Sequence, residues 1–212
     1  HNCMGFFDTV DYFALGKQLD RIAWDNYPGN LWGQGKAQGA PADYMRSVKH
    51  APFLVMEQRS GLTGWLSMFQ SGDRPGQLRL WSYQTVAHGA DALVYFRWRT
   101  SRFGTEQYWH GILDHHGVPG RRYRELARVG KEFGALEDRI TGATYVAPVG
   151  LLVSPESRWA LEIQPSTPGF NFLAHANGYW NAFARQHVGV EYYQPADDFS
   201  AAKVLVAPTL FL

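Results

Sequence analysis

Short apolar runs that each end in a polar cluster recur along the first two-thirds of this chain, separated by longer amphipathic stretches. Few folds accept that alternation. Leu19 to Trp24 is strand-like and runs into Asp25, Asn26, Tyr27 and Pro28; Phe53 to Met56 stops at Glu57 and Gln58; Ala92 to Phe96 stops at Arg97, Trp98 and Arg99. Ala42 to His50 reads as a short helix. Pro75 suits the first turn of another, which runs to about His88 with Leu80, Tyr83 and Ala87 at helical spacing. Leu126, Val129, Phe133, Leu136 and Ile140 mark a long amphipathic helix, with Arg121, Arg122 and Arg124 on its opening turn. Strand, loop and helix therefore repeat about every 30–40 residues, the size of a βαβ unit. That repeat predicts parallel strands with helices outside. The polar clusters fall at the C-terminal ends of the strands, where a (β/α)8 barrel places its chemistry. A doubly wound sheet obeys the same rule, so the pattern by itself admits both.

The character changes around Thr141 to Pro148. Gly150 to Val153 reads as a new strand, and Pro155 to Gly169 as a loop broken by Pro155, Pro165, Pro168 and Gly169. Phe172 to His187 is a helix; Gly189 to Tyr193 and Lys203 to Ala207 are two further strands. The expected organisation is one unit over residues 1–145 and the start of a second α/β unit over 146–212.

Composition narrows the partners. A formal net charge of +1 with 18% charged residues lacks the basic footprint of a nucleic-acid binder. No run of apolar residues is long enough to suggest a membrane span. The single cysteine, Cys3, excludes an intrachain disulfide and a cysteine-based metal cluster; it suits a reducing, cytoplasmic setting. Aromatics reach 15%. Flat rings of this kind pack on the C–H faces of sugars, although they also fill cores.

Glu57 is the sharpest chemical candidate. A carboxylate directly after four apolar strand residues sits half desolvated at the mouth of a sheet, where it can serve as a nucleophile against an anomeric carbon. A strand-end glutamate paired with an arginine would look the same. Asp25, Asn26 and Arg97 end neighbouring strands and are expected to face the same mouth. Asp114, His115 and His116 read as a solvated loop rather than a metal site, because adjacent ligands on one loop rarely converge on one ion.

The wording around Glu57 adds a resemblance. Met56-Glu57-Gln58 followed by Trp65, Ala23-Trp24-Asp25-Asn26-Tyr27-Pro28, Met45-Arg46-Ser47 and Arg74-Pro75-Gly76 resemble segments of glycoside hydrolase family 42 β-galactosidases. So do Leu80-Trp81-Ser82-Tyr83-Gln84, Ala87-His88-Gly89-Ala90-Asp91, Tyr95-Phe96-Arg97-Trp98-Arg99 and Gly104-Thr105-Glu106-Gln107-Tyr108-Trp109-His110-Gly111. These motifs stand in the family's order over residues 1 to about 140, and such an ordered set is specific where one alone would be weak. Val149 to Val153 and Lys203 to Pro208 resemble, more loosely, the family's amidotransferase-like (flavodoxin-like) trimerisation domain.

The resemblance implies the C-terminal half of a (β/α)8 TIM barrel followed by the start of that α/β domain. It implies a retaining exo-β-D-galactosidase, with Glu57 as nucleophile and Tyr27 orienting it. Trp65 is implied to contact the galactose and Glu106 and His110 to bind its hydroxyls, with Asp25, Asn26 and Arg97 also at the substrate. In the family the last acid and histidine are often three residues apart; here they are four apart, on one face if the loop is helical. His1 and Asn2 are implied to mark the end of the fifth barrel strand. The acid/base carboxyl of the family follows an asparagine, and no Asn-Glu pair occurs in residues 1–212; the segment alone is therefore expected to be inactive. No organic cofactor or metal is implied, the partner is a β-galactoside, and the assembly is a homotrimer. A galactoside-binding module without catalysis, or another retaining β-glycosidase of the same clan, stays open at this point.

Overall fold

The computed structural model of the chain describes residues 1–29, 39–64 and 72–211. After a one-turn helix α1 (Tyr12–Gly16), the elements run β1 (Ala23–Asn26), α2 (Gly39–Ser47), β2 (Phe53–Arg59), α3 (Gln77–Ala87), β3 (Ala90–Phe96) and α4 (Arg121–Ile140). The chain continues with β4 (Val149–Leu152), α5 (Pro155–Ile163), α6 (Phe172–Ala184), β5 (Val190–Tyr193) and β6 (Val204–Val206). Two three-stranded parallel sheets result, ordered β1-β2-β3 and β5-β4-β6. Both arrangements need helical crossovers, and the second places its first strand centrally, as flavodoxin-like sheets do.

Several elements depart from the sequence expectation. β1 starts at Ala23 and carries Asp25 and Asn26 inside the ladder, and β2 continues through Glu57 to Arg59. Polar residues are accommodated there because parallel pairing to both neighbours holds the backbone. α3 begins at Gln77 rather than Pro75, since Gly76 has φ 87°, outside the helical region. The expected loop after Pro155 contains α5. Ser154 caps it, accepting from the Ser157 N–H at 3.0 Å, and Pro155 occupies its first turn, where a missing N–H costs nothing. Here proline starts a helix instead of breaking one.

The core of the first sheet joins Trp24, Met45, Phe53, Val55 and Ala90 between the strands and α2. A second core joins Phe13, Ala40 and partly buried Tyr44 to Val149, Leu151, Phe172, Trp180 and Tyr192, so the two sheets share apolar packing through α2. The same helix carries a buried polar clamp. Arg46 donates to the Val190 carbonyl at 2.9 Å and to Glu191 Oε2 at 2.6 Å. It also pairs with Asp43, which in turn contacts His88 Nδ1 at 2.7 Å and accepts from Trp180 Nε1 at 2.9 Å. Burial works against the Arg46 charge, but Asp43 and Glu191 outweigh it and raise its pKa. Ser47 Oγ accepts from the Tyr192 N–H at 2.8 Å. The Met45-Arg46-Ser47 motif thus fastens the first unit to β5.

Removing one partner of a buried ion pair leaves an uncompensated charge. We expect Arg46→Ala to destabilise the intact protein by about 3–5 kcal/mol, seen as a lower urea midpoint; an unchanged midpoint would show the clamp to be dispensable.

Candidate active site

The site is set by an irregularity in β2. Ala23 and Trp24 pair with Leu54 and Val55, whereas Asp25 and Asn26 pair with Glu57 and Gln58, so Met56 is an extra residue. The register against β3 slips over the same stretch. A bulge of this kind shifts the alternation of the strand by one residue. Phe53 and Val55 pack in the core against α2; strict alternation would turn Glu57 the same way. With Met56 inserted, Gln58 takes the helix-facing side and Glu57 the opposite face, beside Asp25.

Glu57 is gripped there by two donors. The Tyr27 hydroxyl donates to Oε2 at 2.6 Å and the Asn2 amide to Oε1 at 3.1 Å. Burial, then the hydrogen bond and charge of Glu57, raise the Tyr27 pKa, so its proton stays on the phenol. Tyr27 is itself held. Its ring meets Trp109 edge-on at 4.8 Å, and Trp109 also lies across Phe96. Trp109 presses so closely on Gly64 that a Cβ there would overlap the indole. Arg59 donates to the Pro28 carbonyl at 2.6 Å and to the Gly61 carbonyl at 2.8 Å, with its guanidinium 5.1 Å from the Trp81 ring. It ties the loop after β1 to the loop after β2. Trp109 and Arg59, which sequence reading did not single out, hold Tyr27 and the backbone beyond β1 and β2 in place.

The expected site residues divide. Asp25 and Glu57 share a face. Asn26 does not: it is 2% exposed, and its amide donates to Gln58 Oε1 and to Thr85 Oγ1 of α3, each at 3.0 Å. Successive strand residues point to opposite faces, so Asn26 braces strand against helix, correcting the expectation that it faces the mouth. Arg97 donates through Nη2 to Glu106, to its carbonyl at 3.0 Å and its carboxylate at 3.2 Å. The segment around Glu106 is a turn, not a helix. His110 Nδ1 lies 3.4 Å from Asp114 Oδ1, and its backbone N–H donates to the Leu62 carbonyl at 2.9 Å. Trp65 lies outside the described residues. Asp114 is paired to Arg122.

Asp25 is 6% exposed. Burial, and next the charge of Glu57, push its pKa up to about 7. Among the described residues, the buried side-chain polar atoms without a partner belong to Trp24, Asp25, Asn26, Gln58, Arg97 and Trp109. All lie on β1, β2 or the loop after β3. A carboxylate near the end of a strand, held by a phenol and an amide, is equipped to attack an electrophilic carbon.

Similarity to known proteins runs along the whole chain. A family model described as β-galactosidase matches residues 1–136, and one described as β-galactosidase trimerisation domain matches 147–212. The chain is similar to the β-galactosidase Bga of Halorubrum lacusprofundi, 36% identical over all of this chain and 32% of that protein. It is 33% identical to the β-galactosidase LacZ of Heyndrickxia coagulans over 99% of this chain and 32% of that protein. Among solved structures, the β-galactosidase of Bacillus circulans sp. alkalophilus superposes with a TM-score of 0.91 at 36% identity, covering 97% of this chain and 31% of that one. The chain therefore spans about a third of the length of these relatives.

The raised pKa of Asp25 carries a stability cost with a defined pH window. Below its ordinary value of 3.8 both folded and unfolded chains hold the proton, and the cost is nil. Between 3.8 and about 7 only the unfolded chain releases it, so stability falls as pH rises; above about 7 the deficit is constant. Asp25→Asn is expected to raise the unfolding temperature at pH 8 and to gain nothing at pH 4, measured by calorimetry. An equal gain at both pH values would contradict this account.

Proposed function

The chain belongs to the glycoside hydrolase family 42 β-galactosidases, and on that premise we propose that it is the nucleophile-bearing part of a retaining exo-β-D-galactosidase. Its first unit is the second half of a TIM barrel and its second opens the trimerisation domain. The observation that carries the proposal is Glu57, turned by the bulge to the face it shares with Asp25 and gripped by Tyr27 and Asn2.

In the proposed reaction a Glu57 oxygen attacks the anomeric carbon of a terminal β-galactoside and displaces the aglycone oxygen. The resulting galactosyl ester is then opened by water, with net retention. The two hydrogen bonds aim the carboxylate and favour its charged form. A second carboxyl, about 5–5.5 Å from the first in retaining enzymes, has to protonate the leaving oxygen. We assign it to a part of the protein beyond residues 1–212. Trp65 is proposed as a stacking surface for the galactose ring. Glu106, oriented by Arg97, and His110 are proposed to bind its hydroxyls. The match of the second unit to a trimerisation domain supports a homotrimer.

A galactoside-binding module would carry the same pocket, and the two readings separate in the complete protein. Glu57→Gln is expected to remove turnover of a nitrophenyl β-D-galactoside while galactose still binds; a protein whose behaviour toward galactosides is indifferent to this change is a binding module. Tyr27→Phe deletes one hydrogen bond to a charged group, worth about 1.5–3 kcal/mol. Its kcat is expected to fall about ten- to a hundredfold, and an unaltered kcat would remove Tyr27 from the mechanism.

A further inference from the structure

Asp25 occupies the middle of a three-residue row. On one side, the N-terminal segment adds a parallel bridge to β1 through Cys3 and Trp24; the Cys3 N–H donates to the Ala23 carbonyl at 3.0 Å and the Asp25 N–H to the Cys3 carbonyl at 2.9 Å. On the other, Asp25 is the register partner of Glu57. Asn2, on the outer strand, reaches across Asp25 to donate to Glu57 Oε1 at 3.1 Å. An asparagine amide has two N–H donors. One serves Glu57, and the nearby Asn2 amide works against the rise in the Asp25 pKa. Asp25 Oδ1 is buried without a partner.

We propose that Asp25 is a positioning residue for the nucleophile: lying between Asn2 and Glu57, it fixes the Asn2 amide in the orientation that donates to Glu57, and so aims the attacking oxygen without touching the sugar. The inference rests on the galactosidase reading above and departs from the expectation that Asp25 contacts substrate.

Asp25 is 6% exposed whereas Glu57 is only partly buried, so Glu57 is the more accessible of the two carboxylates. Protonation state matters to the role. The groups facing Asp25 are Glu57 from β2, Tyr27 beyond β1, Tyr12 from α1, and Asn2 and Cys3 of the segment before α1. Burial and the Glu57 charge favour the neutral acid, and the Asn2 amide opposes it. As a neutral acid, Asp25 leaves Glu57 the sole anion of the row, and the Asn2 amide stays on it. Once ionised, Asp25 competes for the same amide and repels Glu57.

The test is steady-state kinetics of the complete enzyme on a nitrophenyl β-D-galactoside, per folded active site. Misplacing a reacting group is costly, so Asp25→Ala is expected to lower kcat by about ten- to a hundredfold with KM changed less than about twofold. Asp25→Asn should recover most of that loss at pH 6 and flatten the decline between pH 6 and 8 that ionisation of Asp25 contributes. Asn2→Ala, at an exposed position, should reproduce the kcat loss, and the double variant should be no worse than either single one. A KM that rises while kcat holds would make Asp25 a sugar contact and overturn the proposal. So would additive losses in the double variant, or an Asn2→Ala enzyme with wild-type kcat, which decides the matter even where Asp25→Ala does not fold. A wild-type protein that binds galactosides without turning them over would instead overturn the function, and this inference with it.

Discussion

One extra residue in one strand decides which face of the first sheet Glu57 occupies. A strand shows alternate side chains to opposite faces, and β2 must satisfy two demands that regular alternation cannot meet together. Phe53 and Val55 belong to the apolar layer against α2, yet Glu57 has to leave that layer. Met56, half accommodated at the bulge, resolves the conflict. Below it β2 is an ordinary buried strand; above it the phase is reversed, so Gln58 joins Asn26 and Thr85 in a buried polar brace. The core and the reactive face are thus parts of one strand separated by a single backbone irregularity.

The second constraint is the attachment of the two units. Asp43, Arg46 and Ser47 project from α2, a helix of the first sheet, and their partners Val190, Glu191 and Tyr192 lie on a strand of the second. His50 extends the contact: its Nδ1 is 3.0 Å from Glu191, whose hydrogen bond raises the histidine pKa. Charges buried this deeply stabilise only when every partner is present. The geometry of β5 is therefore coupled to that of α2 far more tightly than shared apolar packing alone would achieve, since apolar contacts tolerate sliding and a fully satisfied guanidinium does not.

Much of the first sheet was legible because its signals are local. The apolar runs of β2 and β3 and the spacing of Leu126, Val129 and Phe133 on α4 identify elements without reference to anything distant. The order of motifs around Glu57 was equally legible, and the family match over residues 1–136 agrees with it. What escaped was relational. Asp25 and Asn26 look equivalent in sequence, and only the register against β2 separates the one beside Glu57 from the one facing α3. Met56 in a bulge reads like any apolar strand residue. Asn2 looked like the end of a strand because its partner lies 55 positions away, and Arg46 stood in a motif without an evident task because Glu191 lies 145 positions away. Pro155 misled for a different reason: proline breaks a helix interior but fits a first turn, and the capping Ser154 that distinguishes these cases is a weak signal alone.

Arg59 has an implication for motion. It holds the Pro28 and Gly61 carbonyls with one buried guanidinium, so the backbone just past β1 and the backbone just past β2 are fixed at a common point. Warming that loosens this guanidinium should free both points together.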